Sequence, residues 1–356
     1  MLPSRRVSGQ RSERQGYRVT GVFLSRRIAQ LFLFLLPNSL LAEDILYEVS
    51  VDKFLMGTTV ETTARHTDIN ACREALFLAY KEMERGEALL SYHQSKSEVS
   101  EINRNAGVRP VSVGAETFTL LDRAKKHADD LNGLFDVSIG PLSERWGFSS
   151  DRESTLPTPG EIEYLLPLVD YRRIKLSFAD TSVFLETAGM KIDLGGIAKG
   201  YAIDRGIEVL KEQGIEHFFL NAGGDIRVSG MAKDGRSWRV GIRHPRDPAG
   251  LIASFDLEDH AVATSGDYER YKMFDGRRYH HVLDPRTGYP GTKCQSVTVL
   301  APTAEEADVL ATYLFLLGEP DDSIAWPYIM VLSDGSVTHG GFTEDAKLVL
   351  ETDLHD

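Results

Sequence analysis

Apolar positions recur at spacings of three and four along four stretches of the 356-residue chain and alternate with polar ones along several others. Ile69, Cys72, Leu76, Ala79 and Met83 predict a helix from about Asp68 to Arg85. Leu121, Ala124, Ala128 and Leu131 predict another from Ala115 to Leu131, stopped by Asn132 and Gly133. Ile203, Ile207 and Leu210 fall at i, i+4 and i+7 of a third, which runs from Ala198 to a stop at Gly214. The last starts at Thr303, where TAEE spells a capping box with Glu306 at N3. The stretches LYEVSVDKFLMGTTVETTAR, LFDVSIGPL, SVFLE, MKIDLGG, HFFLNAGGDIRVSG, SWRVGIRHP, IASFDL, AVATSG, YHHVLD and QSVTVLAP read as strands. These strands arrive in runs instead of alternating with helices, which predicts an α+β class with antiparallel or mixed sheets. DRESTLPTPGEIEYLLPLVDYRRI, with three prolines, reads as a surface excursion carrying a short helical piece. Beyond residue 43 there is no repeat, low-complexity tract or long linker, so residues 43–356 are expected to form one domain.

Charge changes the picture at the N-terminus. The chain carries a net charge of −13, yet residues 1–42 hold seven arginines and one acid, leaving 33 basic against 52 acidic residues in the remainder. That balance argues against a nucleic-acid partner, which needs clustered Lys and Arg to displace counterions. Residues 1–42 read as a leader: Arg26 and Arg27 precede IAQLFLFLLPNSLLA, an apolar run short for a membrane span and right for a signal sequence. Cleavage after Ala42 and retention as a membrane anchor are both open. Cys72 and Cys294 show neither CxxC nor Cys/His spacing, which leaves buried thiols or one long-range disulfide.

Three segments carry candidate chemistry. In KIDLGGIAKGYAID, Asp193, Gly196 and Lys199 share a strand-to-helix turn, where free N–H groups and the helix dipole favour an anion. Glycines serving helix packing explain the same turn equally well. In YHHVLDPRTGYP, His280 and His281 point to opposite faces of a strand, so one of them can face a site, while Asp284 can belong to that site or equally cap the following turn and do nothing else. In TAEEADVLATYLFLLG, Asp308 and Thr312 fall at i and i+4, giving two hard oxygen donors of the kind Mg²⁺ accepts, or simply a solvated helix face. Trp146, Trp238 and Trp326 suit the core better than a flavin-stacking role, and Asp225 and Asp267 sit beside glycine turns with no assigned part.

Taken in order, MGT, SYHQSKSEVSEIN, FDVSIGPLSERWGF, DLGGIAKGYAID, NAGGDIRVSG, ATSGDYER, HVLDPRTG and SVTVLAPTAEEADVLAT resemble the ApbE family of FAD:protein FMN transferases, from about residue 47 onward. The resemblance implies an enzyme that binds FAD, splits its pyrophosphate with Mg²⁺ and attaches FMN to a Thr or Ser hydroxyl of an acceptor flavoprotein, releasing AMP. It places the metal on the Gly196 carbonyl with Asp308 and Thr312. The FAD contacts fall on Met56, Tyr92, Leu134, Phe135, Asp136, Asp193, Lys199 and Leu283, and His281 becomes the base toward the acceptor hydroxyl. Family acceptors are extracytoplasmic or membrane redox subunits, so the leader suits a periplasmic protein, either free or attached to the membrane. FAD hydrolysis to FMN and AMP by the same site, and flavin binding without turnover, are the alternatives.

Overall fold

The structure, a computed structural model, describes residues 46–148, 155–341 and 348–350; the leader read at 1–42 lies outside the described residues. The chain opens with β1 (Tyr47–Leu55), β2 (Thr58–His66), α1 (Ile69–Leu90), α2 (Glu98–Arg104), β3 (Val111–Ser112), α3 (Ala115–Asp130), α4 (Gly140–Trp146) and α5 (Pro159–Leu165). β4 (Ile174–Ser177) and β5 (Ser182–Leu185) then precede α6 (Ala198–Glu212). A run of strands follows: β6 (His217–Ala222), β7 (Asp225–Ser229), β8 (Trp238–Arg243), β9 (Leu251–Leu257), β10 (Ala261–Gly266), β11 (Tyr271–Phe274), β12 (Arg277–His280) and β13 (Cys294–Ala301). α7 (Ala304–Leu317), β14 (Tyr328–Leu332), β15 (Val337–Gly340) and β16 (Leu348–Leu350) complete the order.

Eight strands form the central sheet in the order β1-β2-β6-β7-β10-β13-β14-β15, every neighbour antiparallel. This is the α+β class that the run of strands predicts. Alternation along β6 puts Phe218, Leu220 and Ala222 on one face, against Leu76 and Met83 of α1 and Ile203 and Ile207 of α6. Val228, Val262, Leu300 and Ile329 line the other face, packed on Val240, Ile252 and Phe255 of the small β16-β9-β8 sheet. The molecule is thus layered as helices, large sheet and small sheet, with α3 and the β3-β5-β4 sheet forming a further core beside Val297 and Leu314.

Several expectations need correction. The first strand is a hairpin: Met56 (φ 53°) and Gly57 (φ 73°) form a two-residue turn of the left-handed kind whose twist suits adjoining strands. HFFLNAGGDIRVSG is likewise two strands, β6 and β7, joined through Gly223 and Gly224. LFDVSIGPL is no strand, because Asp136 Oδ1 accepts from both the N–H and the hydroxyl of Ser138 at 2.7 Å, bending the backbone into a turn before Pro141 starts α4. MKIDLGG keeps one parallel bridge, Lys191 to Ile139, in place of a ladder. YHHVLD leaves the ribbon at His280, since β12 ends there. α1 runs beyond Arg85 through Gly86, which packs near Ala202, to the buried Leu90. Both cysteines are buried and unpaired, so no disulfide joins them.

Candidate active site

α6 and α7 meet because one side chain and one missing side chain bring them together. Asp204 of α6 accepts the N–H groups of Ala304 and Glu305 at 2.9 Å each, satisfying two free donors at the start of α7. A Cβ on Gly200 would lie 2.3 Å from the Ala304 carbonyl oxygen, so only glycine permits this approach. The Thr303 hydroxyl accepts from Glu306 N–H (3.2 Å), whereas the Glu306 carboxylate turns to Trp326 Nε1 (2.8 Å). Asp308, one turn into α7, is thereby set beside Gly200, whose N–H reaches its Oδ2 at 3.3 Å. Thr312 follows one turn later, and its Oγ1 lies 3.4 Å from Ser265 Oγ and 3.5 Å from where a Gly196 Cβ would stand.

These groups floor a cleft of about 970 Å³. Its walls bring together all twelve residues singled out from the sequence. Met56 comes from the first hairpin turn, Tyr92 from the loop after α1, and Leu134, Phe135 and Asp136 from the turn before α4. Asp193, Gly196 and Lys199 come from the turn into α6, His281 and Leu283 from the segment after β12, and Asp308 and Thr312 from α7. Asp136 lines the cleft with its carboxylate already engaged, by Ser138 and by Tyr171 N–H (3.0 Å), and burial holds it above the ordinary range. Asp193 Oδ1 accepts from Gly195 N–H (2.9 Å), shaping the turn that presents Gly196.

Electrostatics divide the floor from the wall. Burial works against the Lys199 charge, but Asp225, 2.5 Å away, and Asp308 outweigh it and hold the ammonium above its ordinary value. Burial, then Asp225, raises Asp308 well beyond the usual carboxylate range. His281 is pushed down to about 3 by burial and by the positive charge of Arg270, so its imidazole is neutral at neutral pH. Its Nδ1 is buried without a hydrogen bond among the described residues, while its main-chain N–H donates to the Arg270 carbonyl at 3.0 Å. His280 occupies the core instead: Nε2 pairs with the Gly291 carbonyl (2.7 Å) and the ring packs edge-on against Phe315. Asp284 does cap its turn, accepting Arg286 N–H at 2.8 Å.

Arg270, His93, Ser265 and Phe148 are among the cleft residues not singled out from the sequence. Arg270, its guanidinium poised over the Met56–Gly57 turn, adds a cation at the rim. His93 lies against Tyr92, ring centroids 3.8 Å apart, and Ser265 and Phe148 also line the cleft. No periodicity marks any of them; SGDYER and WGF lie in blocks that pointed elsewhere. The tryptophans are structural, with Trp146 donating to the Gly288 carbonyl and Trp238 to Ser229.

The donors at the floor are a carboxylate, a hydroxyl and a main-chain carbonyl. Among the described residues no cluster of three or more His, Cys, Asp or Glu offers a metal site. A hard, oxygen-loving ion such as Mg²⁺ fits that set, and the excess of buried negative charge at Asp308 favours a cation.

Residues 56–326 match the ApbE family. The chain belongs to the ApbE family. Its transferase class comes with that membership: a curated ApbE relative from Klebsiella pneumoniae, named FAD:protein FMN transferase, is 37% identical over 238 residues, 66% of this chain and 73% of its own length. One of the same name from Treponema pallidum is 34% identical over 269 residues, covering 70% and 72%. Among solved structures, the ApbE protein of Thermotoga maritima superposes with a TM-score of 0.77 at 35% identity, over 83% of this chain and 96% of that one. The flavin transferase ApbE of Vibrio cholerae gives 0.73 at 28%, over 83% and 97%. The ApbE fold therefore accounts for the three-layer architecture.

Proposed function

We propose that this cleft moves FMN from FAD to a Thr or Ser hydroxyl of an acceptor flavoprotein and releases AMP. The observation that carries the proposal is the convergence of the twelve residues, drawn from Met56 to Thr312, on one cleft large enough for a dinucleotide. The acceptor oxygen forms a bond to the FMN phosphorus as the pyrophosphate bond to AMP breaks. The His281 imidazole, neutral at physiological pH, has a ring nitrogen free to take the hydroxyl proton. Lys199 and Arg270 counter the charge of the diphosphate, and Tyr92 and Phe135 offer flat apolar surface to the rings. Asp308, Thr312 and the Gly196 carbonyl would hold Mg²⁺, which supplies Lewis-acid stabilisation of charge on the phosphoryl oxygens when bound.

The test is to incubate the protein with FAD, Mg²⁺ and a threonine-bearing acceptor, then follow acceptor mass and free AMP. Acceptor mass gained with equimolar AMP supports transfer. AMP without modified acceptor points to hydrolysis, and retained FAD with neither product points to binding alone. The basic, apolar leader further supports an extracytoplasmic, periplasmic location with optional membrane attachment; fractionation of cells expressing the full chain and one lacking residues 1–42 tests this.

A further inference from the structure

Lys199, which lines the cleft, forms an ion pair with Asp225. Asp225 opens β7 directly after the Gly223–Gly224 turn and is 1% exposed. Thr264 N–H donates to its Oδ1 at 3.4 Å, and Oδ2 lies 2.5 Å from Lys199 Nζ. The residue after Lys199, Gly200, is the one whose N–H holds Asp308. Two buried carboxylates thus share the field of one ammonium. Among the described residues Lys199 forms its ion pair with Asp225, and Asp308 has none.

We propose that Asp225 is a positioning residue: it keeps the Lys199 ammonium off Asp308 and so leaves that carboxylate open to a divalent cation. Remove the Asp225 charge and the remaining carboxylate in the ammonium's field is Asp308. A tethered ammonium there competes with any ion arriving from solution, because both need the same oxygen atoms. With Asp225 in place and Asp308 deprotonated, as a bound cation requires, the three groups sum to one negative charge. One divalent ion converts that to one positive charge, the sign required to receive a diphosphate. Lys199, anchored from below, keeps its nitrogen near the cleft surface, where its side chain is 26% exposed. The proposal rests on the reading of Asp308 as the cation-bearing residue, and its test separates the two.

The experiment is a calorimetric titration of the full chain with Mg²⁺, and with Mn²⁺ followed by electron paramagnetic resonance, in the absence of FAD. Asp225→Asn is expected to weaken cation binding roughly tenfold, the size of one close charge interaction. Lys199→Met is expected to bind at least as tightly as wild type, and Asp225→Asn with Lys199→Met to regain the lost affinity. A purely structural Asp225 would not be rescued by deleting a second charged side chain. Equal weakness of the single and double variants, or unchanged binding in Asp225→Asn, would overturn the proposal. Should Asp225→Asn not fold, as judged by its thermal transition, Lys199→Met decides alone, and weaker binding in it is the overturning result. Asp308→Asn probes the underlying reading: wild-type cation affinity in that variant removes both, whereas lost affinity there with no rescue above removes only the role of Asp225.

Discussion

His281 and Asp308 both line the cleft and are expected to fail differently when removed. Phosphoryl transfer needs little covalent help, so positioning and charge stabilisation outweigh proton removal. His281→Ala is expected to lower the rate of FMN transfer by about 10²-fold, and Asp308→Ala by roughly tenfold more, measured at saturating FAD and Mg²⁺. The depressed value of His281 has a second consequence. Its folded value of about 3 lies below the unfolded ~6.5, so on acidification the unfolded chain takes up the proton first. The stability it contributes is complete above the unfolded value and drains away as the pH falls toward the folded one. Thermal midpoints between pH 7 and 4 are therefore expected to drop more steeply for the wild type than for His281→Gln. Gly196→Ala is expected to keep most of its activity: the new Cβ would stand 3.2 Å from the edge of the Phe135 ring, which need give by only a few tenths of an ångström, and the carbonyl is unchanged. At this scale the sequence resemblance named residues whose chemistry a pattern cannot show. Arg270 and Asp225 escaped because their significance is purely spatial, one lying over a turn more than two hundred residues upstream and the other beneath a lysine.

The pair α6 and α7 acts as one unit, and its glycine and carboxylate are open to test. Gly200→Ala would force the helices apart at the Ala304 carbonyl, an overpacking expected to cost about 1–3 kcal/mol in urea denaturation. Because the shift separates Lys199 from Asp308, transfer activity is expected to fall further than stability. Asp204→Ala removes two accepted N–H groups at the start of α7 and is expected to cost about 1–2 kcal/mol by the same measurement. The helices α3, α6 and α7 were legible because their apolar periodicity and caps agree with their packing. Both β-hairpins were misread as single strands, since Met56–Gly57 and Gly223–Gly224 are turns of only two residues set inside continuous alternation. LFDVSIGPL misled for a different reason: its alternation is real, but the Asp136 side chain takes the Ser138 donors and the backbone turns. Interestingly for the site, each of these three misread stretches supplies a cleft wall or its neighbour, so the errors cluster where the backbone departs from regular structure.

Across the whole molecule, the class followed from the order of strands and the site residues from eight ordered blocks, while the layer of β8, β9 and β16 behind the sheet could not be placed from the sequence. The large sheet is assembled from distant parts of the chain: β2 pairs with β6 across the whole of the first helical region, and β10 sits between β7 and β13. Such non-local pairing predicts slow folding, because loops must close before their contacts reward them. Refolding from urea followed by intrinsic fluorescence is expected to reach completion before or together with FAD binding capacity, never after it. A version ending before Thr303 is expected to bind no FAD, as it lacks α7 and with it Asp308 and Thr312. The α6–α7 contact thus also sets a time order. A chain emerging residue by residue holds its lysine and its aspartate in separate pieces until α7 docks, and the ability to take a flavin dinucleotide switches on in that one late event.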